Sequence, residues 1–178
     1  MKKSILFAMF LGGVIAANAQ TNTDNVALSV TLKPIQTLVV NASQSTIDLE
    51  YSTVNDYEDG VSSSNADHLT IYSTGGFQVK VNSTADNLSK GLNVSEIAAE
   101  TLTVTPTAGA REIKGSPTYT SVTLTENPKV LISSAQGGFD RTISVKYAGA
   151  TGQVYMNNYE TGKTNIYTTT VTYSILPQ

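Results

Sequence analysis

The chain has no cysteine, no tryptophan and a single histidine, and acidic and basic side chains together make up 14% of its 178 residues. Ordinary soluble domains carry about 25% charge. Each shortage excludes something. Without cysteine there is no disulfide and no lipid-bearing cysteine behind an export signal, and a zinc site would need almost all its ligands from carboxylates. With one histidine, a serine nucleophile has a single base available, His68, and no serine lies in the Gly-x-Ser-x-Gly setting that would expose it for attack. His68 follows Asp67 at the start of an expected strand, where it reads as a loop-edge histidine that titrates freely. The expectation is a protein that is not an enzyme and needs no cofactor.

Long apolar runs are also missing. The longest, within residues 5–16, is shorter than the roughly 20 residues a helix needs to span a bilayer. Lys2 and Lys3 precede it and Ala17-Asn18-Ala19 follows, the order of a secretory signal with a small-residue cleavage site. Residues 1–19 are therefore expected to be a signal peptide, cut before Gln20, with residues 20–178 forming one domain. Losing Lys2 and Lys3 takes the formal charge from −3 to −5, which argues against nucleic acid and anionic membrane surfaces as partners. The implied location is extracytoplasmic: secreted, periplasmic or on the surface of a Gram-negative-like bacterium.

Threonine and serine stand where charge is missing, at 25 and 18 residues. Threonine is β-branched and packs on a pleated sheet while its hydroxyl stays wet, so the composition suits exposed sheet faces. Period-two alternation bears this out along the chain. Val26, Leu28, Val30 and Leu32 alternate with small residues up to Lys33-Pro34 and read as a first strand. Residues 35–40 read as a second, and Ile47, Leu49 and Tyr51 as a third. Residues 52–67 are polar and read as a loop. Leu69 and Ile71 then turn at Gly75-Gly76 into Phe77, Val79 and Val81, a hairpin pattern.

Further strands are expected around Leu102 and Val104, Val122 and Leu124, Val130 and Ile132, and over Ile143, Val145 and Tyr147. A loop over residues 107–117 separates the first two pairs. The closing strand is the longest, with Tyr167, Thr169, Val171, Tyr173 and Ile175 on one face. The only helical signal is a capping box at Asn93-Val94-Ser95-Glu96, opening a short turn through Glu100. About eight to ten short strands with frequent turns describe an all-β fold, a single antiparallel Ig-like β-sandwich. A closing strand so rich in threonine and poor in charge guards a sheet edge badly: it either lies inside the sheet or is paired by something else.

The remaining chemistry is sparse. Asp56, Glu58 and Asp59 before Gly60 offer hard oxygens for calcium, but their spacing is not that of the Asp-x-Asp-x-Asp-Gly loop, and a solvated acidic loop is the plainer reading. Five of the nine tyrosines lie in the C-terminal third. Tyr167 and Tyr173 fit the rim of a core. Tyr155 and Tyr159, near the turn-rich residues 156–162, are the candidates for stacking on a sugar ring. Asn41, Asn82, Asn87 and Asn93 sit in Asn-x-Ser/Thr sequences and read as polar turns.

The two ends of the chain, Asn25-Val-Ala-Leu-Ser-Val-Thr-Leu-Lys-Pro34 and Ile166-Tyr-Thr-Thr-Thr-Val-Thr-Tyr-Ser-Ile175, with the signal before them and the overall length, resemble bacterial fimbrial subunits of the disulfide-free alpha-fimbrial type. They are also similar to spore-coat-U-like domains. In fimbrial subunits the N-terminal segment leaves its own body and completes the next subunit. The resemblance thus implies that Val26, Leu28, Val30 and Leu32 are donor-strand residues, whereas the residues alone read more simply as the first strand of the chain's own sandwich. The expected function is an exported structural or adhesive cell-surface subunit, partnered by itself or by other surface proteins. The alternative is a monomeric module for carbohydrate or peptidoglycan.

Overall fold

Alternating β-branched and small polar residues become antiparallel sheet in the computed structural model, which describes residues 22–90 and 97–178. Its contacts divide the chain into two units, Met1–Leu32 and Lys33–Gln178. In the first, residues 22–32 form neither strand nor helix and are exposed throughout. The first strand expected from the alternation of residues 26–32 is therefore not formed.

The second unit holds two principal sheets. One has five strands in the order β1 (Gln36–Val40), β2 (Ser62–Ser73), β10 (Gly138–Ala148), β6 (Thr103–Ala108) and β8 (Val122–Thr123). The other has four, β11 (Val171–Pro177), β3 (Phe77–Ser83), β9 (Lys129–Ser134) and β7 (Thr118–Tyr119). Among the described residues two short strands, β4 (Asn87–Leu88) and β5 (Ile97–Ala98), pair only with each other. The core joins Leu69, Ile71, Val104, Ile143 and Val145 of the first sheet to Phe77, Val79, Val81, Leu131 and Ile132 of the second, all at most 1% exposed. Burying each such side chain contributes about 1.5–3 kcal/mol.

The all-β class holds, with eleven strands among the described residues against the eight to ten expected. Several boundaries differ. Residues 52–67, expected as a loop, contain the helix α1 (Val54–Asp59) and the first half of β2. Thr53 caps α1 through its hydroxyl, and the Asp56 carboxylate accepts from the Thr53 N–H at 2.7 Å, a capping box that accounts for a helix this short. Ile47, Leu49 and Tyr51 lie outside any strand: Ile47 packs against the core and the Tyr51 hydroxyl donates to Ala150 O at 2.8 Å, so side chains rather than a ladder hold this stretch. The hairpin expected at Gly75-Gly76 is instead a crossover, because β2 pairs with β1 and β10 whereas β3 pairs with β11 and β9. The closing strand begins at Val171, preceded only by a bridge between Thr168 and Ser89. The export signal and the capping box at residues 93–96 lie outside the described residues, and residues 97–101 form β5 and a 3-10 turn. Among the described residues no helix is long and apolar enough to cross a membrane.

Candidate functional site

The side of the sandwich formed by β1 and β11 is the least finished. Among the described residues each strand ends its own sheet, β1 bonded only to β2 and β11 only to β3. Two bonds fix which backbone groups of β11 are engaged. Thr84 N donates to Thr170 O at 3.0 Å and Gln178 N to Gly76 O at 3.1 Å, both on the β3 side. An antiparallel ladder alternates residues that face the neighbour with residues that face away. Thr172, Ser174 and Leu176 therefore turn their N–H and C=O toward β3, and Val171, Tyr173 and Ile175 turn theirs to the other side, where β1 of the other sheet comes close but pairs with β11 in no ladder. Pro177 also falls on that side and has no N–H to offer. The side chains of Val171, Tyr173 and Ile175 pack on the core but stay partly exposed, as does Leu38 of β1. The core is only partly covered where this edge is open.

The donor-strand candidates have the complementary property. Val26 and Leu28 are each 90% exposed, Leu32 87% and Val30 79%, alternating with Ala27, Ser29 and Thr31. Four apolar side chains in one short stretch of water-facing chain are uneconomical unless something covers them.

Behind the open edge lies a polar chain that the sequence did not announce. His68, 1% exposed, sits next to the equally buried Leu69, so strict alternation fails here. The cause is a bulge: Ile143 pairs with Leu69 and Val145 with Asn65, leaving Ala66, Asp67 and His68 opposite Ser144 alone, with Asp67 at φ 49°. The Asp67 carboxylate steadies the bulge by accepting from Ala110 N at 2.8 Å; its hydrogen bonds, first that with Thr142, hold its pKa below the usual carboxylate range. His68 Nδ1 is 2.9 Å from Gln44 Oε1, its Nε2 is 2.9 Å from the Tyr147 hydroxyl, and that hydroxyl is 2.6 Å from the hydroxyl of Tyr173. The chain crosses from β2 and β10 in one sheet to β11 in the other. Burial lowers the His68 pKa and raises those of Tyr147 and Tyr173, which keeps all three neutral. His68 is thus a buried core residue, not the freely titrating loop-edge histidine expected.

The other candidates are dispersed. Asp56 is committed to α1, accepting from Ser52 N and Thr53 N, and these bonds lower its pKa. The described residues contain no group of three acidic or histidine side chains placed to hold a metal ion, Asp56, Glu58 and Asp59 included. The Tyr155 hydroxyl bonds Thr101 Oγ1 at 2.8 Å, and its ring meets Tyr51 edge-on at 5.0 Å, so it ties the stretch after β10 to these two residues. Tyr159 is 65% exposed. A depression of about 600 Å³ nearby is lined by Thr53, Tyr57, Glu58, Gln153 and Met156, and Tyr155 and Tyr159 are not part of that lining. Tyr167 donates to Asn158 O at 2.6 Å and lies under the Lys90 ammonium, which pairs with Glu160 at 2.7 Å; these contacts hold the loop before β11.

No family model matches the chain, and no curated protein matches it in sequence.

Proposed function

We propose that the protein is an exported, non-enzymatic structural or adhesive subunit of a cell surface, and that copies associate by β-strand addition: residues 26–32 of one copy lie along the open edge of β11 in the next. The observation that carries this reading is the match between the two. Residues 26–32 and β11 are each seven residues long, the one with four exposed alternate apolar side chains and the other with an unpaired ladder above a partly covered core. Strand addition would supply main-chain bonds to Val171, Tyr173 and Ile175, and pockets for every second donor side chain. Burying Val26, Leu28, Val30 and Leu32 would contribute roughly 1.5–3 kcal/mol each when complete, set against an association cost of about 4–15 kcal/mol. A surface rich in threonine and poor in charge is in keeping with a fibre or coat.

Sedimentation of the mature protein over a concentration series tests this. Oligomers that grow with concentration are expected, and deleting residues 21–33 should leave a folded monomer, since among the described residues every core residue lies after that segment. A monomer at every concentration, or assemblies that survive the deletion, would overturn the reading.

A further inference from the structure

The hydrogen-bond chain behind β11 has a direction. The Gln44 Oε1 oxygen only accepts, so His68 Nδ1 carries the proton and donates to it, which leaves Nε2 as an acceptor. Tyr147 then donates to Nε2, and Tyr173 donates to the Tyr147 oxygen. In this arrangement the imidazole N–H and both hydroxyl hydrogens have partners. The groups facing the imidazole are Gln44 from the 3-10 turn Ala42–Gln44, Tyr147 from β10 and Tyr173 from β11, whose rings meet it edge-on at 5.6 and 6.0 Å. Only the tyrosines among them titrate. Asp67, the neighbouring carboxylate, is engaged with Ala110 and Thr142.

A proton added at Nε2 has nowhere to go without breaking this order. Nε2–H must donate to the Tyr147 oxygen, Tyr147 must turn its own hydrogen toward Tyr173, and the Tyr173 hydrogen is left without an acceptor in the chain. The buried positive charge faces two neutral tyrosines and an amide, none of which compensates it. Tyr173 is the member that belongs to β11, so the strain falls on the strand whose other edge is open.

We infer that the chain Gln44, His68, Tyr147, Tyr173 is an acid-sensitive latch on β11: proton uptake by His68 reverses the bond between Tyr147 and Tyr173, strands the Tyr173 hydrogen beside an uncompensated buried charge, and so weakens the tie between the two sheets and loosens the edge that would accept a strand. That last consequence rests on the strand-addition reading; the latch itself does not. The sign follows from linkage. His68 is held neutral in the folded state, so its contribution is fully present above the unfolded histidine value of about 6.5 and is lost as pH falls below it. Each pH unit below about 6.5 should multiply the opening of β11 roughly tenfold until the folded-state pKa is reached.

The test is hydrogen exchange of wild-type protein at low concentration between pH 7.5 and 5, followed with the ring signals of its one histidine. The amides of Thr172, Ser174 and Leu176, which face β3, should lose protection with the course of the His68 titration, while those of Ile143 and Val145 in β10 keep theirs. A His68→Gln variant should show a flat β11 response; if it does not fold, the wild-type arm decides alone. Equal loss in β11 and β10, or β11 protection unmoved while His68 titrates, would overturn the latch. Oligomer size is read in parallel at high concentration: failure to associate at any pH sinks strand addition and leaves the latch standing, whereas association with a pH-indifferent β11 does the reverse.

Discussion

At the scale of single residues, the positions that matter most are those where the regular pattern breaks. Alternation located Leu69, Ile71, Phe77, Val79 and Val81 in the core because a strand that buries one face must alternate. It could not reveal His68, since a bulge shifts the phase by an amount set by the partner strand and not by local sequence. Nor could it reveal that Gly149 lies against Tyr51. A Cβ on Gly149 would collide with the Tyr51 hydroxyl, whose bond to Ala150 O ties the stretch before α1 to the end of β10. Gly149→Ala is therefore expected to destabilise the fold by about 1–3 kcal/mol through overpacking, measured by urea denaturation. An unchanged midpoint would show that this contact yields without cost.

Among the elements, type was easier to read than partnership. Strands β1, β6, β9 and β11 lie near the alternating stretches, because period two is a local property. The polar run 52–67 hid two elements for different reasons. The first half of β2 carries Ser62, Ser63, Ser64 and Asn65 and is made a strand by its pairing with β10, a long-range contact that composition does not encode. Helix α1 depends on its cap. Thr53→Ala removes the hydroxyl that accepts from Asp56 N, and should cost about 1 kcal/mol, read from loss of protection in residues 54–59 with little change elsewhere. The glycine pair 75–76 signals a reversal of the chain but carries no information about which sheet the next strand joins. That is why a local hairpin was expected where a crossover exists.

For the molecule as a whole, the sequence announced both halves of the proposed interface without saying how they meet. The alternation of residues 26–32 and the weak guarding of the closing strand were plain in the chain itself. What only the fold supplies is the order of strands, which places β11 at an edge with Val171, Tyr173 and Ile175 facing outward along the ladder. Absence of cysteine now becomes an experimental advantage, because any disulfide must come from introduced residues. Side chains on the solvent side of adjoining strands face one another, with Cα atoms about 4.5–5.5 Å apart, within bridging range.

The most direct measurement mixes two single variants of the mature protein, one with Ser29→Cys in the exposed segment and one with Thr172→Cys or Ser174→Cys on β11, and follows oxidation by mass. The account predicts a disulfide joining the two different copies, formed faster than either homodimer and suppressed by Leu28→Asp in the first. Its central claim is contradicted if the mixed species fails to form at either β11 position, or if the doubly substituted chain closes the bridge within itself and stays monomeric.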